Sequence, residues 1–142
     1  MSKYATVYSA VTTALGTITG VKSVTTDIGV FDKANAFPVL MVVGKIINTE
    51  YIMFPQAVKE DREAEIEIIV EGLVRPLYSA NILTDTQTLM SSVEGKINGL
   101  TTAGIVSINM TQADYDIDIE KDKIGYFQSV FNIKYVYNHL AP

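Results

Sequence analysis

The sequence predicts an α+β fold in which an antiparallel or mixed β-sheet packs against two main helices. Two stretches repeat apolar residues every three or four positions, and the segments between and after them alternate or run apolar, as strands do. The chain has 142 residues, of which 48% are hydrophobic, enough for the core of one domain. We therefore predict a single domain over residues 1–142, with a protruding arm near residues 49–61.

The first element is predicted to be an amphipathic helix. Ser2 can cap its start, and Gly16 and Gly20 bracket its end. Residues 21–28 form a strand candidate after it. The apolar stripe of the helix consists of Tyr4, Val7, Val11, Leu15 and Ile18.

Strands are predicted next. The continuous apolar run at residues 39–43 indicates a strand covered on both faces. Residues 46–54 continue it as a strand or an extended arm, and residues 55–61 form a loop. The following strand, which ends by Pro76, has a period of two. Its apolar side chains are Ala64, Ile66, Ile68 and Val70, and they alternate with Glu63, Glu65, Glu67 and Ile69.

The second half of the chain predicts a helix followed by two strands. The helix begins near Ser79 or Asn81 and stops at Gly99. The pattern predicts strands at residues 105–110 and at residues 126–137. The helix stripe is Ile82, Thr86, Leu89, Val93 and Ile97, and the apolar face of the last strand is Phe127, Phe131, Ile133, Tyr135 and Tyr137.

Charge and composition exclude several classes of protein. The net charge is -5, and Arg62 and Arg75 are the only arginines, which disfavours binding to nucleic acids or anionic membranes. The longest apolar run, residues 37–43, is far shorter than the roughly 18 residues of a membrane helix. The absence of cysteine excludes disulfides and thiol chemistry, and it fits folding in a reducing cytoplasm.

The residues that could support catalysis do not form a recognisable centre. His139 is the only histidine and lies three residues from the end of the chain. Glu65 and Glu67 share a strand face, but any solvated acidic strand produces this spacing. No glycine-rich phosphate-binding loop occurs. We predict no enzymatic activity, no cofactor and no metal.

Residues 114–122 form an unusual acidic segment. A calcium loop would require Gly at its sixth position and Glu at its twelfth, where this chain has Ile119 and Gly125. Alternation with Tyr115 and Ile117 instead predicts a strand whose apolar side chains pack inward. Its carboxylates are expected to be solvated and to face a channel or a partner: Asp114, Asp116, Asp118 and Glu120.

Residues 49–61 place large apolar side chains beside a loop. They fit either a hairpin that folds back on the core or an arm that packs on a neighbouring subunit, because aromatic residues and Met are enriched in interface cores. The candidate residues for a subunit interface are Tyr51, Ile52, Met53, Phe54 and Arg62.

The order of these features resembles the tail-terminator, or tail-completion, proteins of long-tailed bacteriophages. The resemblance covers nearly the whole chain and includes the alternating R-E-A-E-I-E-I-I-V-E-G (62–72), the turn N-G-L-T-T-A-G (98–104) and the strand G-Y-F-Q-S-V-F-N-I-K-Y (125–135). It implies a hexameric ring that caps the tail tube, stops its polymerisation and offers a surface for head–tail joining.

The resemblance also implies partners and a location. The partners would be other copies of the chain, the tail tube protein and the head–tail connector protein, while DNA passes through the ring without specific binding. The protein would belong to the virion tail and assemble in the host cytoplasm. Two alternatives stay open: another neck component, such as a head–tail stopper, and a small acidic ligand-binding domain.

Overall fold

The computed structural model describes residues 3–34, 36–51, 61–75, 81–118 and 123–138. These residues form three helices and five strands. The helices are α1 (Lys3–Gly16), α2 (Ile28–Asp32) and α3 (Ile82–Asn98). The strands are β1 (Ser23–Thr25), β2 (Val39–Tyr51), β3 (Asp61–Val74), β4 (Ile105–Asp118) and β5 (Ile124–Asn138).

The five strands form one mixed sheet in the order β1-β2-β3-β5-β4. β1 pairs in parallel with β2, and the other three pairs are antiparallel. β5 therefore lies inside the sheet although it is last in the chain, and β4 lies at an edge. The predicted α+β class, with a sheet packed against two main helices, is confirmed.

Both predicted helix stripes face the main core, and all five stripe residues of α3 are buried. In the α1 region Val7, Val11, Leu15 and Ile18 are buried, while Tyr4 packs against the core as a partly buried residue. The sheet side of this core is formed by the even-numbered side chains of β3 and the odd-numbered ones of β5. No helix of the described residues is long and apolar enough to cross a membrane.

The apolar start of β2 is covered on both faces, as its continuous hydrophobic run predicts. Leu40 and Val42 belong to the main core under α1 and α3. Val39 and Met41 point to the opposite face, where they pack with Phe31 of α2 in a second, smaller cluster. Since successive strand residues point to opposite faces, burial of all four needs a helix on each side of the sheet.

The region before β2 departs from the prediction. Only Ser23–Thr25 of the expected strand at residues 21–28 is extended, and Ile28 begins α2. Asp27 caps this helix, because its Oδ1 accepts a hydrogen bond from the Gly29 N–H at 2.8 Å. The cap stabilises a helix too short to show the periodicity by which longer helices are recognised.

The exposed Gly95 of α3 allows a simple test of the helix assignment. No heavy atom lies within 4 Å of where its Cβ would be. We expect Gly95→Ala to raise the free energy of unfolding by about 0.8–1 kcal/mol, because alanine loses less backbone entropy in a helix interior. Urea denaturation followed by circular dichroism would measure the change. A loss of stability would mean that α3 packs against something at this position.

Candidate interaction surface

The face of the sheet opposite α1 and α3 is rich in carboxylates. The register sets the side chains of Glu71, Gln128 and Asp114 in one row across β3, β5 and β4. With strands about 4.8 Å apart, β3 and β4 lie roughly 10 Å from each other across β5. We call this surface the acidic face, and its described carboxylates are Glu63, Glu65, Glu67, Glu71, Asp114, Asp116 and Asp118. Among the described residues, Lys45 and Lys134 are the lysines on the same face.

Several carboxylates of the acidic face are held by polar neighbours. Asn132 donates a hydrogen bond to Glu65 Oε1 at 3.1 Å. Gln112 donates to Asp114 Oδ2 at 2.5 Å. Glu65 is thus tied to a side chain of β5, which suits a structural surface better than a free catalytic pair with Glu67. The centre of the face is apolar, where Ile69 pairs across the strands with Val130.

Tyr126 of β5 donates a hydrogen bond to Glu71 on the acidic face. Burial, followed by the hydrogen bond to the Glu71 carboxylate and its charge, raises the pKa of Tyr126. The folded protein therefore keeps a proton that the unfolded chain releases above about pH 10. Because the folded state then binds more protons than the unfolded state, this contribution to stability falls as pH rises above that value.

We therefore expect the free energy of unfolding of Tyr126→Phe to fall less steeply with rising pH than that of the native protein. At neutral pH the variant lacks one hydrogen bond and is less stable by about 0.5–1.5 kcal/mol. Between about pH 9 and pH 11 the difference in free energy of unfolding between the native protein and the variant should become smaller. The reason is that only the native chain loses the Tyr126 contribution as pH rises. Urea unfolding across this range would measure it. A stability difference between the two proteins that stays constant with pH would contradict the role assigned to Tyr126.

The predicted acidic strand exists and extends β4 through Asp118, but its apolar side chains are less covered than expected. Asp114 and Asp116 are exposed and Asp118 is partly buried. Tyr115 is 50% exposed, so the prediction that it packs inward is wrong. The pairing with Phe127 does point Tyr115 to the side of the sheet covered by α1 and α3, where it lines an open groove beside α3 instead of being buried. Ile117 is partly buried, while Ile119 and Glu120 lie outside the described residues.

In the described part of the chain, two open grooves lie on the side of the sheet covered by α1 and α3, one beside β4 and one beside β2. The first, of about 200 Å³, runs between α3 and β4, and Met90, Met110 and Tyr115 are among its lining residues. The second, of about 260 Å³, runs between α1 and β2, and Tyr4, Ala5, Tyr8, Gly44 and Ile66 are among its lining residues. Both expose apolar surface next to a strand at the border of the sheet.

The residues predicted to form a subunit interface are described only in part. The backbones of Tyr51 and Arg62 pair with each other at the ends of β2 and β3. Ile52, Met53 and Phe54 lie outside the described residues, as does His139. The interface assignment of these five residues therefore stays a prediction.

Other hollows offer little chemistry. One of about 490 Å³ lies beside α2, and its carboxylate, Asp27, is already engaged as the helix cap. Another, of about 300 Å³, contains Arg75, whose guanidinium lies 5.1 Å from the ring centre of Phe37. Across the described part of the chain, no group of three or more His, Cys, Asp or Glu residues could hold a metal ion.

Comparison with known proteins gives a match at the level of structure. No protein-family model matches the chain, and no curated protein matches it by sequence. Among solved structures, the fold is similar to that of a chain in the virion of a native gene transfer agent particle, with a TM-score of 0.51 and 12% sequence identity. The similarity covers 96% of both chains. The two proteins therefore share a fold over essentially their full lengths.

Proposed function

We propose that this chain is a structural subunit of a phage-like virion and that it acts as a tail terminator. Six copies form a ring that caps the tail tube, stops its polymerisation and presents the surface to which the head is joined. The tail tube protein and the head–tail connector protein are the partners on either side of the ring. The work of the protein is binding and closure, and it carries out no chemical reaction.

The observation that carries this proposal is the end-to-end match in fold to a chain of a virion particle. A shared fold alone does not define a function. The exposed apolar surface is a second, independent support: of the seven large apolar side chains exposed among the described residues, Val106, Met110 and Tyr115 lie on β4, and the other four are spread over α2, β2 and α3. Three such side chains on one edge strand are typical of a surface that meets another protein.

The acidic face has a place in this function. We propose that its carboxylates line the channel or face a partner, as the sequence predicts for Asp114, Asp116, Asp118 and Glu120. Seven described carboxylates share this face with two lysines, so its field repels a polyanion. A conduit with such a wall would let DNA pass without binding it.

The ring is tested by determining the mass of the purified protein in solution. Sedimentation of the protein alone and after mixing with tail-tube subunits, together with electron micrographs of both samples, would show whether rings form. We expect hexameric rings in at least one of the two samples. A monomer in both would contradict the proposal. Binding to tube but not to isolated connector would favour a terminator over a head–tail stopper.

The segment at residues 49–61 provides a separate test of subunit contacts. We expect the double variant Met53→Ser/Phe54→Ser to assemble less well while keeping its fold, if these side chains pack on a neighbouring subunit. If they belong to the core instead, the variant loses roughly 2–5 kcal/mol of stability for each large side chain removed. Sedimentation reports the first effect and denaturant unfolding the second, so the two assignments give opposite results.

A further inference from the structure

We propose that copies of this chain join edge to edge, with β4 of one copy lying antiparallel beside the distal part of β2 of the next. This inference rests on the proposed ring and assigns its interface. Within the described residues, β4 pairs with β5 alone. Among the described residues, β1 pairs with β2 at Val39–Met41, and the Tyr8 hydroxyl of α1 donates a hydrogen bond to the Val42 carbonyl and lies beside Gly44. The part of the β2 edge that pairs with β3 alone is therefore its distal part, residues 45–51. Such edges offer backbone N–H and C=O groups to another chain.

The directions of the two edge strands suit this pairing. β2 is antiparallel to β3, β3 to β5, and β5 to β4, so β2 and β4 run in opposite directions. Rotation about an axis along the strands keeps the direction of every strand. In a ring of this kind, β4 of one copy therefore meets β2 of the next in the antiparallel sense, without inverting either subunit.

We call the proposed contact between β4 of one copy and β2 of the next the joint. On the side of the sheet covered by α1 and α3, both strands of the joint expose apolar surface. The α3–β4 groove exposes Met110 and Tyr115 at one edge. The α1–β2 groove exposes surface of Tyr4 and Tyr8 at the other. Both grooves lie on the same side of the sheet, so the joint would place them next to each other and cover them together. Contact between Met and aromatic side chains is common in interface cores.

The charges on the acidic face favour pairing of β4 with β2 over pairing of β4 with a second β4. On the acidic face, β4 exposes Asp114 and Asp116, whereas β2 exposes Lys45. Pairing β4 with β4 would set these aspartates against one another, and like charges on adjacent strands are unfavourable. Pairing β4 with β2 instead sets these aspartates beside the strand that carries Lys45, which within one chain lies opposite Glu67 of β3. A head-to-tail contact of this type produces a ring if its rotation closes and a filament if it does not.

Cysteine cross-linking tests the joint, because the chain contains no cysteine of its own. Lys45→Cys would be combined in turn with Asn109→Cys, Gln112→Cys, Asp114→Cys or Asp116→Cys, all exposed and on the acidic face. Adjacent strands bring Cα atoms to about 4.5–5.5 Å, within the range that a disulfide spans. Lys45→Cys with Asp85→Cys, an exposed site on α3, is the matched control.

We expect oxidation to link subunits for one or two neighbouring β4 positions and not for the control. Denaturing gels should then show a ladder that ends at the subunit number given by native mass spectrometry.

A closed oligomer with no ladder at any position overturns the edge-to-edge joint and leaves the ring intact. Dimers in a single variant such as Asp114→Cys indicate β4–β4 pairing and also overturn it. A ladder without an end supports the joint and contradicts the closed ring. Monomers with no cross-link contradict both.

Discussion

Replacing Gly72 by Ala is expected to destabilise the fold by about 1–3 kcal/mol, the usual cost of overpacking a well-packed core. Gly72 of β3 pairs directly with Phe127 of β5, whose ring lies over it. A Cβ at Gly72 would come within 2.1 Å of the ring. Because Phe127 is fully buried, the ring cannot swing into solvent to make room. This position therefore requires glycine because the Phe127 ring occupies the space that a Cβ would take.

The same change should have the opposite sign when the ring is absent. Phe127→Ala alone is expected to cost about 3–5 kcal/mol, through lost burial and the cavity left behind. In that background Gly72→Ala meets no ring, and it should gain roughly 0.5–1 kcal/mol because alanine has less backbone entropy to lose. A double-mutant cycle by denaturant unfolding measures the coupling, which we expect to be on the order of 2 kcal/mol. Additive effects would show that Phe127 does not pack over Gly72.

Periodicity predicts the interior elements of this protein well. The stripe of α3 and the alternation in β3 identify their buried side chains, because one face of each element packs against a continuous core. β5 behaves in the same way, and its predicted apolar residues are all buried. The predictions succeed where one face of the element is completely covered by the core, even though the opposite face of β3 and β5 is only partly exposed.

The same reasoning fails at the edge of the sheet. A period of two shows which side chains of β4 share a face, but it does not show whether another element covers that face. Every residue from Asn109 to Asp116 is exposed, apolar and acidic alike. Strand order adds to the difficulty, because local sequence does not reveal that β5 inserts between β3 and β4. For that reason the sequence does not show that the glutamates of β3 and the aspartates of β4 form one acidic face.

The sequence predicts the proposed interaction surface only in separate parts. The spacing of the carboxylates at residues 114–118 predicts an acidic strand, whereas the grooves beside β2 and β4 depend on how α1 and α3 pack on the sheet. Exposure of Val106 and Met110 could not be read from residue type, since both are ordinary core residues. A strand that exposes large apolar side chains in the isolated chain is explained most simply by an assembly that covers them.

This explanation leads to a large expected effect on assembly. We expect Met110→Lys/Tyr115→Lys to weaken association of the subunits by 100-fold or more. Both side chains are partly solvated in the single chain, with 39% and 50% exposure, and the added ammonium groups can stay in water there. In the proposed joint they would be buried among apolar groups without partners, which costs several kcal/mol. About 1.4 kcal/mol corresponds to each factor of ten in affinity.

The matched control is Ile28→Lys/Val30→Lys on α2, which adds the same charge at side chains with 64% and 53% exposure, away from both grooves. Denaturant unfolding of each double variant as a monomer should show small changes, about 0.5 kcal/mol per exposed substitution. Sedimentation over a range of concentrations then gives the association constants. We expect the control to assemble like the native chain and the β4 variant to remain monomeric. Equal assembly by both variants would show that β4 remains exposed in the ring, and the interface would then have to be sought elsewhere, beginning with residues 49–61.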